Sequence, residues 1–186
     1  MATESNRDKI IELSRDIIQH IGYHSFNYKQ IAVLIGIKNS SIHHYFPAKE
    51  DLGVAVIESD SSDFNDKIKN WNLESPLKRT DYILDLYQQY FNDGMKLCII
   101  GTFGSSYEDI PEKLQTAVNV YIEKIAQWLS ETFKDGLASG EFRFKGTPEA
   151  MASAWLSTLA GSLQMGRLRG AVHFEETLDH LRNSII

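Results

Sequence analysis

Cysteine is nearly absent: Cys98 stands alone among 186 residues, which excludes an internal disulfide framework and predicts a chain working in a reducing cytoplasm. No stretch approaches the roughly 18 consecutive apolar residues that a membrane-crossing helix needs, so no membrane partner is expected. The opening MATESNRDK is polar and runs directly into helical periodicity, which predicts no signal peptide. Strand-like alternation, internal repeats and low-complexity runs are missing too, and this leaves an all-α reading. Catalytic signatures are equally scarce. There is no G-x-S-x-G elbow and no phosphate-loop pattern, and Gly101-x-x-Gly104-Ser-Ser is too loose to serve as one. The expectation is therefore no enzyme, no cofactor and no metal.

The histidines do not change that. His43 and His44 are adjacent and diverge by about 100° on a helix, so they cannot grip one ion as an i, i+4 pair would. His20 and His24 have that separation, but Gly22 interrupts the helix between them. Glu176 and His180 are better read as an ion pair or a dimer contact.

Positive charge is not in excess either. The 19 Lys and Arg are outnumbered by 25 Asp and Glu, for a net charge of −6. The deficit is uneven: residues 1–52 hold six of each sign, so the whole −6 lies in residues 53–186. A polyanion would be repelled by the second part and tolerated by the first. Apolar residues at 42% and charged residues at 24% describe a globular chain with a real core.

What is present is organised by helical spacing. Ile10, Ile17, Ile18 and Ile21, with Leu13 or Ser14, make a stripe that Gly22 should stop. Asn27 precedes Tyr28-Lys29-Gln30 as a capping-box variant opening a second helix, and Gly36 should make a tight turn after Ile35. A third helix is expected from about Asn39 to Tyr45, blocked by Pro47, with a fourth from Ala48 to about Asn70. Ser75-Pro76 opens a fifth, central helix, and Asn92-Asp93-Gly94 breaks it. A short apolar piece spans Cys98 to Phe103. A long helix follows Pro111, and Gly136 and Gly140 are expected to close it before a loop at 141–146. Another helix begins at Thr147-Pro148, Gly166 to Gly170 should loosen the chain, and Phe174, Leu178, Leu181 and Ile185 mark a last helix. About nine helices result, divided into a head of residues 1–52 and a body of residues 53–186.

The densest information lies in YKQIAVLIGIKNSSIHHYF, residues 28–46. Ala32, Gly36 and Ile42 stand four and then six residues apart, as a helix-turn-helix requires. The small residue lets the second helix approach, the glycine takes the left-handed turn, and the aliphatic residue fills the space between. Such a motif exposes the outer face of its second helix to a DNA major groove.

FNYKQIAVLIGIKNSSIHHYFPAKEDL resembles the N-terminal domain of TetR/AcrR-type bacterial transcriptional regulators. Ile31-Ala32, Gly36, Tyr45-Phe46, Lys49-Glu50 and Leu52 stand in that family's places, and the likeness spans residues 8–52. It implies a homodimer of Ω-like outline on a palindromic double-stranded operator, with a small-molecule effector held in each body. Two departures fall on the DNA-facing surface. Lys38 replaces a common capping Ser, so that Asn39 is expected to cap the third helix, and His43 replaces a common Tyr.

Lys38, Asn39, Ser40, Ser41, His43 and His44 should crowd the exposed side of the third helix, where Asn, Ser and His can bond base edges or phosphate. Tyr28, Tyr45 and Lys49 are expected as backbone anchors. Tyr87, Phe91, Phe103, Tyr121, Trp128 and Trp155, with Cys98, fall on helices expected to surround a cavity for a small, largely apolar effector. No strong charge pair is evident among them. The resemblance places the dimer interface on the last two helices, through Trp155, Leu159, Leu163, Phe174, Leu178 and Leu181. Two rival readings stay open. One makes Cys98 an electrophile or redox sensor. The other makes the chain an all-α protein-interaction adaptor.

Overall fold

Ser5 accepts a hydrogen bond from the Asp8 amide and opens α1 (Asn6–Ile21), which Gly22 stops with φ at 86°. The computed structural model describes residues 5–186, so the part of the leader reading that rests on residues 1–4 lies outside the described residues. Asn27 accepts from the Gln30 amide and opens α2 (Tyr28–Ile35). Gly36 then turns left-handed at φ 72°, ψ 32°, and α3 (Asn39–Tyr45) follows. Ile42 is the one buried residue of α3, and it shares the core with Ile10, Ile18 and Ile31 at zero exposure.

α4 (Lys49–Trp71) carries the chain from head to body without a break. The boundary expected at 52/53 thus falls inside a helix. Gly53 lets this helix pass tightly: a Cβ there would stand 2.8 Å from Leu114 Cδ2 and 3.0 Å from Tyr23 Cε2. The body adds α5 (Pro76–Asn92), α6 (Ile99–Gly104), a 3₁₀ turn at Tyr107–Asp109, α7 (Glu112–Ser139), α8 (Pro148–Arg169) and α9 (Ala171–Asn183). α7 lies against α4, α5 and α8, while α9 packs on α8 and α5. No strand occurs among the described residues, and none of their helices is long and apolar enough to cross a membrane.

Two expected breaks are helix interior instead. Gly136 sits inside α7, where a Cβ would fall 1.9 Å from Phe142 Cδ2; the glycine admits a ring and Gly140 closes the helix. Gly166 sits inside α8 against Phe91, whose ring stacks on Phe174 at 4.2 Å, and the helix runs on to Arg169. In both places a close approach outweighs the helix cost of glycine.

The dimer-interface expectation needs the larger correction. Trp155, Leu159, Leu163 and Phe174 have zero exposure within one chain, and Leu178 and Leu181 only 7% and 5%. They fill the subunit's own core. The outward apolar residues of this region are Met165, Leu168 and Val172 around the α8–α9 corner, with Ile186 at the chain's end.

Candidate nucleic-acid interface and its links to the body

α3 is held on one side only. Ile42 is its single buried anchor, the Phe46 amide donates to the Ile42 carbonyl, and the Ile37 amide donates to Ala32 across the turn. Lys38, Asn39, Ser40, His43, His44 and Tyr45 are exposed together, and Ser41 is half-buried. Asn39 does not cap the helix. It occupies the first helical position, Lys38 takes the cap position, and no side chain bonds the free amides there. The Ser41 amide bonds back to the Lys38 carbonyl at 2.9 Å instead.

Two expected anchors are otherwise engaged. Tyr28 is buried at 8% exposure, and its hydroxyl donates toward the Phe46 and Ala48 carbonyls at 3.0 and 2.6 Å. Burial pushes its phenol well above the usual range, so it keeps the proton that straps the start of α2 to the end of α3. Lys49 donates to the His24 carbonyl at 3.2 Å and lies over the rings of Tyr23 and Phe26 at 4.8 and 4.5 Å. Burial lowers its pKa, and its ammonium points back into the head. Tyr45 remains available, edge-on to His44. Lys29, exposed in the first turn of α2, is a phosphate candidate that pattern reading passed over because it belongs to no motif position.

Local charge is more favourable than the net −6 suggests. From Ile17 to Lys49 there is no Asp or Glu, while Lys29, Lys38, Lys49 and four histidines fall in that stretch. Glu50 and Asp51 follow in the first turn of the next helix, and Asp51 is tied down by Lys113 Nζ at 2.5 Å and by the Ala48 amide, which hold its carboxyl below the usual value. The helix-turn-helix stretch thus carries no carboxylate of its own.

In the body, the expected effector set disperses. Tyr87, Cys98 and Tyr121 border a void of about 20 Å³, room for little more than one water. Phe91 stacks on Phe174, Phe103 lies 5.4 Å from Tyr23, Trp128 donates to Asn72 at 2.8 Å, and Trp155 packs edge-on to Phe133. These four build the core. Cys98 is buried and caps α6, its Sγ accepting from the Gly101 amide at 3.3 Å with the Tyr87 hydroxyl beside it. Burial pushes its thiol up, opposite to what a reactive thiolate needs.

A buried charge pair lies beside one member of that set, Tyr121. Asp60 on α4 is buried at 7% exposure, accepts from Tyr121 at 2.9 Å and faces Arg15 of α1 at 3.7 Å, while Arg15 also pairs with Asp63. Nothing in sequence spacing joins positions 15 and 60. A second tie runs from Lys96 to Asp16 at 2.6 Å and to Asp93. Arg167 of α8 completes the clamp, donating to the Met95 carbonyl at 2.6 Å and the Gln19 carbonyl at 3.0 Å. The far end of α1 is thereby tied to α4, to the α5–α6 turn and to α8, which provides a mechanical path between body and head.

Residues 10–56 match the family described as "Bacterial regulatory proteins, tetR family". Over 168 residues, 84% of this chain and 75% of the relative, the sequence is 25% identical to the transcriptional regulator AcuR of Cereibacter sphaeroides. Over 96% of this chain and 93% of the relative it is 21% identical to the transcriptional repressor NemR of Escherichia coli. Among solved structures, a TetR transcriptional regulator from Legionella pneumophila superposes with a TM-score of 0.89 at 27% identity, covering 98% of both chains.

Proposed function

From the premise that the chain belongs to the tetR family and is a DNA-binding transcriptional regulator, we propose that it is a repressor acting as a homodimer on a palindromic operator. The observation that carries this reading is the one-sided anchoring of α3, which leaves Lys38, Asn39, Ser40, His43, His44 and Tyr45 outward on a helix with no acid of its own. Lys29 and Lys38 position phosphates, and the α3 side chains read base edges. Repression is supported by the name of the NemR relative, and the cytoplasm is the compartment where such a protein meets its operator.

Pairing in this reading uses the outer faces of α8 and α9. Leu168 and Val172 stand 80% and 69% exposed at their corner, and a Cβ at Gly161 would meet nothing within 4 Å, so a second helix can approach closely. A small effector in the body favours a state whose heads no longer match the operator spacing. DNA affinity then falls by the ratio of the effector's affinities for the two states.

The test is binding of the purified protein to DNA from its own upstream region across a salt series. Lowering salt from about 200 to about 50 mM should strengthen binding by orders of magnitude if several phosphates are contacted. Ser41→Glu places a carboxylate on the reading face and should abolish binding while leaving the helical spectrum intact. Weak binding that ignores both salt and this substitution would sink the reading and favour the adaptor.

A further inference from the structure

His43 stands apart from the other exposed residues of α3. Counted at about 100° per residue from buried Ile42, His44 points away from the core while His43 points sideways. That side is the α2 side: the His43 imidazole lies edge-on to the Tyr28 ring at 4.8 Å, whereas His44 lies against Tyr45 of α3 itself. Tyr28 cannot swing away, because its hydroxyl donates to the Phe46 and Ala48 carbonyls. The exposed His43 ring therefore has a firm backstop beside the first turn of α2, where Lys29 is also exposed. That turn is the positive end of its helix, where a phosphate is favoured.

The charged groups of the surrounding elements favour the same visitor. α2 contributes Lys29 and α3 contributes Lys38 and His44, with no acid on either helix. α1 brings Arg7, which lies over the Phe46 ring at 5.4 Å, and Asp8, which accepts the Ser5 hydroxyl at 2.6 Å. α4 brings Lys49, turned to the His24 carbonyl, half-buried Glu50, and Asp51, engaged by Lys113 and the Ala48 amide. On its own two helices a protonated His43 has no carboxylate to pair with, and a phosphate seated beside Lys29 supplies that counter-charge.

We propose that His43 grips a backbone phosphate of the operator as an imidazolium, which makes operator binding proton-linked. The imidazole takes one proton from solvent, and no covalent bond to DNA forms. Histidine side chains exchange that proton near neutral pH, and an adjacent phosphate favours the charged form. The complex then holds more protons than the separated partners, so affinity rises as pH falls and is lost as pH rises. The assignment rests on the operator reading above and deepens it: His43 positions the duplex, and outward-facing His44 is left to the base edges.

Fluorescence anisotropy of the full-length protein on the duplex from its own upstream region, at pH 6 and pH 8 and fixed salt, tests this. Two histidines per dimer, each protonated about tenfold more readily on a phosphate, should make binding about tenfold or more tighter at pH 6. The salt dependence should steepen between pH 8 and pH 6 by about one to two released ions per dimer. Calorimetry at pH 7 in phosphate and in Tris should report uptake of about one proton per dimer. His43→Gln, at an exposed position, should remove the pH effect, the salt effect and the uptake together. His43→Lys, charged at both pH values, should bind at pH 8 about as tightly as wild type does at pH 6. His44→Gln should keep the proton uptake. Equal wild-type binding at the two pH values, uptake that survives His43→Gln, or uptake lost in His44→Gln would each overturn the assignment. Binding that ignores pH sinks the His43 assignment alone, whereas no binding at either pH sinks the operator reading and this one with it.

Discussion

Gly136→Ala tests whether one ring holds the return of the chain after α7. The new methyl would fall 1.9 Å from Cδ2, 2.4 Å from Cε2 and 2.5 Å from Cγ of Phe142, distances at which no carbon pair survives. The ring has little freedom to slide. The Phe142 amide donates to the Gly136 carbonyl at 3.0 Å, and the Arg143 amide donates to Ile185 at 2.7 Å. Phe142 is 3% exposed with its ring 5.9 Å from that of Phe133, so ejecting it approaches deletion of a buried phenylalanine. That costs about 3–5 kcal/mol, while alanine returns up to about 1 kcal/mol of helix propensity. A net loss of about 2–4 kcal/mol should appear in urea unfolding followed by circular dichroism at fixed protein concentration. In a Phe142→Ala background the methyl meets no ring, so the same substitution should be neutral or stabilise by up to about 1 kcal/mol. A single variant as stable as wild type, or equal losses in both backgrounds, refutes the reasoning.

Tyr28→Phe removes the strap hydroxyl and should cost about 1 kcal/mol of stability, with operator affinity of the folded fraction unchanged in fluorescence anisotropy; a large affinity loss would restore the phosphate-anchor role. Leu168→Glu with Val172→Glu should leave a folded monomer in sedimentation equilibrium at concentrations where wild type pairs, and an unchanged assembly state would contradict the outer-face assignment. The hydrogen bond from Lys113 and that from the Ala48 amide hold the Asp51 carboxyl below its ordinary 3.8. A depressed carboxylate adds stability that is full above the unfolded value and fades as pH falls through the folded one. The melting-temperature gap between wild type and Asp51→Asn should therefore be steady at neutral pH and close below 3.8; persistence in acid would count against the pairing. Iodoacetamide should modify native Cys98 far more slowly than the unfolded chain, and rapid native labelling would revive the sensor reading.

The helix-turn-helix was legible because its constraints are local. Gly36 turns left-handed and Ile42 is buried for reasons that fit within fifteen residues of sequence. Helix starts at Asn27, Ser75 and Thr147 were legible for the same reason, since a cap bonds an amide three residues ahead. Periodicity fails where it must choose between two faces. It marks Leu159 and Leu163 as one stripe and Phe174 and Leu178 as another, but cannot say whether those stripes meet their own subunit or another. Local rules also misjudge Gly136 and Gly166, whose purpose is a ring arriving from elsewhere in the chain. The ties at the far end of α1 are the extreme case: Arg15, Asp60 and Lys96 come from three distant segments, and no spacing rule joins them.

Arg167 has a consequence for how the protein is made. Its guanidinium grips carbonyls of residues 19 and 95, so the end of the first helix is secured by a side chain 148 residues further along the chain. A nascent head emerges early yet lacks this fastener until the penultimate helix is synthesised. Premature termination before position 167 would then leave the far end of α1 without its tie to the body.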